Sequence, residues 1–280
     1  MATIAATAPR AVRTASPGIW LPAYSLWLRE IVRFYRQKAR VAGVIASPLI
    51  FWVVLGAGFA HSFNTGGATS TTSATSGHYL GYFFPGSVAM IVLFTAIFSM
   101  MSLIQDRNEG FLLSVLAAPV SRSSVVLGKV LGGATLAAIQ GIIFLVFAPL
   151  VGVHLTATAI GLSVLAVTMI SFELTALGFA IAWPMDSTQA FHAIVNMLLI
   201  PLWLLSGALF PLSGAAGWMR FCMMLNPLTY GVEALRGALF PDVATVFPLA
   251  VNLAVTAGFC LLTFAAAWAI VNRRTNKPSA

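Results

Sequence analysis

The sequence predicts an all-α membrane protein with six transmembrane helices and both termini in the cytoplasm. It also predicts an N-terminal amphipathic interfacial helix and a re-entrant helical segment before the last span. Three observations predict this. Hydrophobic residues make up 59% of the chain and charged residues 8%, where a soluble domain carries about 25% charge. The apolar residues gather into runs of about 20, the length that crosses a bilayer. The basic residues are also sorted: with the N-terminus inside, 13 of the 15 Lys and Arg fall in cytoplasmic segments, leaving only Arg220 and Arg236 outside. That asymmetry sets orientation. The net charge of +8 therefore reflects topology, and nucleic acid is not expected as a partner.

Residues 1–19 read as a flexible cytoplasmic tail without the apolar core of a signal peptide. In residues 20–40, Tyr24, Trp27, Leu28, Ile31 and Phe34 recur at helical spacing, with Arg29, Arg33, Arg36 and Arg40 opposite. A basic amphipathic helix of this kind belongs in the headgroup layer. The first span is 41–61, with Pro48 as a kink. Residues 62–81 hold no Lys, Arg, Asp or Glu and read as an external loop. Spans follow at 82–104, 124–151, 158–182, 191–210 and 246–271, and 273–280 form a cytoplasmic tail. Lys129, near the start of the third span, is expected to snorkel to the interface. Residues 211–245 hold Pro211, Pro227 and Pro241, too broken a pattern to span, and are expected to form short external or re-entrant helices.

The segment 105–122 is longer than a connector needs. It sets Asp106, Arg107, Glu109 and Gly110 before an apolar helix of Phe111, Leu112, Leu113, Val115 and Leu116, stopped by Pro119. Apolar knobs beside charges suit docking into a groove of a soluble partner. A connector resting on lipid is the simpler alternative. Glu173 is the one carboxylate deep in a predicted span; such groups contact cargo or gate a path, or else are packed and hydrogen-bonded between helices. Glu233 and Arg236, at i and i+3, suit a local structural pair.

No nucleotide machinery is visible. The sole Gly-Lys pair, Gly128-Lys129, is followed by Val130, and Ser123 stands where a P-loop requires its first glycine. There is no HExxH and no GxSxG, and Cys222 and Cys260 lack any metal-ligand spacing. The chain is not expected to be an enzyme.

The stretch FFPGSVAMIVLFTAIFSMMSLIQDRNEGFLLSVLAAPVSRSSVVLGKVL and the later LTALGFAIAWPMDSTQAFHAIVNMLLIPLWLLSGALF, continuing through MRFCMMLNPLTYGVEALRGALF, resemble the membrane subunit of type-2 ABC transporters, the export class. The resemblance covers about residues 25–272, so that 20–272 reads as one type-2 transmembrane domain. It implies an exporter of drug-like or lipid-like, apolar or amphipathic cargo in the cytoplasmic (inner) membrane. It further implies a second copy of this chain and separate ATPase subunits. ATP and Mg would sit on those subunits, with no cofactor on this chain. The family's coupling helix would fall at Asp106 to Pro119, with Trp27, Arg29, Arg33, Phe34 and Arg36 of the amphipathic helix as a second contact. The exit cap would hold Asn226, Pro227, Tyr230, Glu233 and Arg236. The cargo path or dimer interface would run by Phe94, Phe98, Asn196, Leu199, Trp203 and Leu204, with Glu173 as a further candidate. The competing class is a secondary transporter or channel without ATP coupling, for which ionisable residues along the path are the usual sign.

Overall fold

The computed structural model describes residues 18–36, 46, 49–54, 58, 77–154, 156–241, 243 and 245–273. Among these, every regular element is helical. Helix α1 is Trp20–Arg36, α2 Gly77–Ser99, α3 Met101–Asn108, α4 Phe111–Ala117, α5 Arg122–Leu145, α6 Ala157–Ala182 and α7 Thr188–Leu204. Helices α8 (Gly217–Leu225), α9 (Pro227–Leu239) and α10 (Leu249–Asn272) complete the order.

Among the described residues, four segments are long and apolar enough to cross a membrane: Tyr79–Asn108, Arg122–Leu145, Ala157–Ala182 and Leu249–Asn272. The predicted span 41–61 lies largely outside the described residues. Its described part includes Trp52, which packs edge-on to Phe84 at 5.5 Å and Phe144 at 5.8 Å. The predicted fifth span is shorter than expected. Helix α7 has 17 residues, about 25 Å at 1.5 Å per residue, and the chain turns at Gly207, whose φ is +77°.

The predicted span 82–104 is also corrected. At Met100 the helix only tightens into i→i+3 bonds, Met100 N to Ile97 O and Leu103 N to Met100 O at 3.0 Å each, and then continues as α3. Asp106 and Arg107 therefore belong to the end of the span rather than to a loop. The helix stops where Gly110 takes φ +76°, a left-handed conformation that side chains other than glycine's rarely adopt. Helix α4 follows at once.

Helix α2 forms the centre, with Phe83, Phe84, Val88, Ile91, Val92 and Ile97 fully buried against α5 and α6. Helix α10 is peripheral and leaves Leu261, Leu262 and Trp268 exposed. Between 211 and 241 the chain forms the short helices α8 and α9, in keeping with a pattern too broken to span. Asn226 caps α9 by accepting from Leu228 N at 3.0 Å, and Pro227 opens it, where a missing N–H costs nothing.

Candidate functional site

The ion pairs among the described residues collect at the two ends of one rod. Tyr82 and Asp106 lie 24 residues apart on α2–α3, roughly 36 Å along the axis at 1.5 Å per residue. The hydrocarbon core is about 30 Å thick, so each end falls near an interface.

At the α3 end, Lys129 of α5 is buried and forms ion pairs with both Glu30 of α1 and Asp106 of α3. Ser102 Oγ donates to Glu30 Oε2 at 2.8 Å. Arg29 grips Asp106 with both terminal nitrogens, at 2.7 and 2.8 Å. Arg33 adds a third bond to Asp106 at 2.8 Å and reaches Gln105 Oε1 at 3.0 Å. The hydrogen bond from Arg29 to Asp106 pushes the guanidinium further above its usual range, so the pair stays ionised. Asp106 has no exposed surface. Buried ions persist only when paired and hydrogen-bonded, and these residues bind α1, α3 and α5 into one unit. Arg29 also lies over the Phe111 ring at 3.6 Å, which ties α4 to the same unit.

Two expectations are corrected here. Lys129 does not snorkel outward, because the carboxylates of Glu30 and Asp106 supply inward partners. The arginines of α1 do not all face the headgroups, because Arg29 and Arg33 turn to Asp106. Phe34 is buried with Ala23, Leu26 and Glu30, whereas Tyr24 and Leu28 are exposed, so the single apolar face splits into one face toward protein and one away. Trp27 Nε1 donates to Thr135 Oγ1 at 3.1 Å.

The close approach of α1 to α5 depends on Gly128 and Gly132. A Cβ on Gly128 would sit 2.6 Å from Ala23 O and 2.8 Å from Leu26 Cβ, and one on Gly132 would sit 2.8 Å from Glu30 Cβ. Small residues four apart let helix backbones approach. Gly128→Ala is expected to lower stability by about 1–3 kcal/mol, visible as an earlier thermal transition in lipid nanodiscs. An unchanged transition would mean that α1 docks differently.

Arg107 turns the other way. It donates to Trp183 O at 2.6 Å and Met185 O at 2.9 Å, and pairs with Asp186 at 3.0 Å, fastening α3 to the turn between α6 and α7. Helix α4 is left as the presented part. Leu112 points inward, whereas Leu113 is 65% and Leu116 38% exposed. Glu109 and Pro119 are exposed beside them. A groove of about 350 Å³ between α1 and α4 is lined by Pro22, Leu26, Arg29, Phe111, Val115 and Val120.

At the other end Glu233 and Arg236 are a buried pair, as the spacing suggested. Arg236 also donates to Gly207 O at 2.8 Å and lies over the Tyr82 ring at 4.1 Å, while Tyr82 OH donates to the same carbonyl at 2.9 Å. Glu233 Oε2 accepts from Val246 N at 3.3 Å. Asn226 Nδ2 donates to Leu202 O at 2.6 Å and Tyr230 OH to Met224 O at 2.9 Å. These bonds fix α8 and α9 to the end of α7.

Apart from Glu173, the candidate path residues lie on α2 and α7, which touch one another. Phe94 and Phe98 stack at 5.8 Å, and Phe98 lies 5.1 Å from His192. Asn196 is exposed and Leu204 half-buried. Leu199 and Trp203 are buried within the chain, with Trp203 Nε1 donating to Gly86 O at 2.8 Å. Glu173 lies apart in α6, where neither carboxyl oxygen has a hydrogen-bond partner among the described residues.

The chain matches the model of the ABC-2 type transporter family over residues 23–240. It belongs to that family. The ABC-2 chain is thus the membrane subunit of an ABC transporter, a multi-pass and generally non-catalytic component, and membership implies an ABC ATPase partner. It is 26% identical over 246 residues to a permease protein, DrrC, described as belonging to a doxorubicin resistance ABC transporter of Mycobacterium tuberculosis, covering 84% of this chain and 82% of that one. It is 25% identical over 236 residues to Nodulation protein J of Rhizobium leguminosarum bv. trifolii, covering 80% and 83%. It is 27% identical over 210 residues to ycf38 of Cyanophora paradoxa, described as a transport permease, covering 74% and 70%. The family match takes in both polar ends of the ABC-2 chain. The sequence reading missed Glu30 and Ser102, and missed that Lys129 pairs inward with carboxylates. The available signal was a lysine two turns inside an apolar run, facing the single acid of a basic helix.

Proposed function

We propose that this chain is the export permease of an ATP-driven transporter of the cytoplasmic membrane. It works as two copies, each with six spans and both termini inside, and the segment 41–61 and α7 supply the two remaining spans. ATP and Mg sit on separate ATPase subunits. The observation that carries this reading is α4, whose apolar face stands exposed while its base is fixed to α1, α3 and α5 by buried charge. A push on such a rigid lever moves the spans rather than bending a loop. The 13-to-2 placement of basic residues supports α4 on the ATP side. Cargo of apolar or amphipathic, drug-like or lipid-like character is supported by the relative named for doxorubicin resistance.

Co-expression with candidate ATPase subunits and purification through a tag on this chain tests the reading. An ATPase is expected to co-purify and to hydrolyse ATP faster in the complex than alone. Export that proceeds with no ATPase bound would sink it. Glu173, buried with no hydrogen-bond partner among the described residues, favours the second reading, a transporter driven by an ion gradient. Uptake into liposomes under such a gradient without ATP would establish that instead.

A further inference from the structure

Helix α1 carries a second exposed surface, bordered by Arg33 and Arg36, that does not involve α4. Leu21, Tyr24, Leu28, Val32 and Tyr35 recur every three or four residues and are all exposed, forming one apolar stripe along the helix. Arg36 follows at the edge of that stripe, exposed in the last turn. Among the described residues it makes no ion pair, whereas Arg29 and Arg33 of the same edge are held by Asp106. A depression of about 380 Å³ is lined by Arg29, Val32, Arg33, Arg36 and Glu109. Glu109 is its only acid, and it touches Arg33 at 3.6 Å, longer than the 2.8 Å from Arg33 to Asp106.

We propose that Arg36 and Arg33, beside Val32 and Tyr35, form a binding site for the phosphate of an anionic phospholipid. Charge and position select this occupant. A guanidinium pair takes a phosphate by two-point hydrogen bonding, and the adjoining apolar stripe places the site where acyl chains meet headgroups. An acidic soluble protein would leave that stripe facing water. The phosphate competes with Glu109 for Arg33, so lipid binding releases the carboxylate that begins the turn into α4. Lipid charge thereby acts on the docking segment. The inference rests on the membrane placement of α1 and stands whether or not an ATPase docks on α4.

The test uses the full chain in nanodiscs of phosphatidylcholine containing increasing phosphatidylglycerol, reading the melting temperature. Phosphatidylglycerol is expected to raise it. Arg36→Gln shifts the midpoint of that titration about fivefold upward, the loss of one cationic contact of about 1 kcal/mol, while Arg36→Lys stays within about twofold of the native chain. Glu109→Gln, which removes the competing acid, moves the midpoint down. Equal midpoints for Arg36→Gln and the native chain would overturn the proposal. So would equal stabilisation by inorganic phosphate in pure phosphatidylcholine, which would mark a site for a soluble anion. The nanodiscs contain no ATPase, which keeps the test independent of ATPase docking.

Discussion

Lys129→Met is expected to remove about 3–5 kcal/mol of stability, the usual cost of breaking a buried ion pair from one side. Glu30 and Asp106 share the lysine, and both carboxylates would remain buried without it. Asp106 would keep its bonds from Arg29 and Arg33, but among the described residues Glu30 would keep only Ser102. The loss should therefore fall mainly on the hold of α5 on α1. Thermal unfolding in nanodiscs measures it, and a melting temperature unchanged by the substitution would show the buried network to be misplaced. A double-mutant cycle sharpens the outcome. Glu30→Gln with Lys129→Met leaves one charge fewer to bury and should cost less than the sum of the two single changes. Additive costs would mean that the two residues do not share one network.

The same residues show where sequence reading stops. The fourth span, read as 158–182, is Ala157–Ala182, and the last, read as 246–271, is Leu249–Asn272. Both are long apolar runs bounded by polar or proline-containing turns, so length alone fixes them. The end of α3 was misread because a run of Gln, Asp, Arg and Asn looks like a loop until its partners are known. Those partners lie 77 residues away for Arg29 to Asp106 and 79 for Arg107 to Asp186, and no local pattern reports them. For α1, periodicity showed an amphipathic helix but could not separate the apolar face that meets α5 from the one that does not. Phe34 and Tyr35 are neighbours with opposite fates, one buried and one exposed. Helix α4 itself was legible as apolar residues ended by a proline. Which leucine faces outward was not, because that depends on the turn set by Gly110.

That distinction carries the second large effect. Leu113→Asp combined with Leu116→Asp is expected to reduce export at least about tenfold, equivalent to 1.4 kcal/mol or more of lost coupling, while leaving the melting temperature within a few degrees of native. Both side chains are exposed, so their replacement opens no cavity in this chain, and the damage falls on a contact made with another. Leu112→Asp forms the control. Leu112 is buried, so an aspartate there must desolvate a charge without a partner, and the chain itself should lose stability. The two experiments thus separate docking from folding on one short helix. Three measurements are needed for each variant: melting temperature, ATPase recovered on the tagged chain, and export. Native export by the 113 and 116 double variant would remove α4 as the docking element, even if an ATPase still bound elsewhere. Loss of bound ATPase with an intact fold would place the contact on the two leucines, because they are the most exposed large apolar side chains of α4.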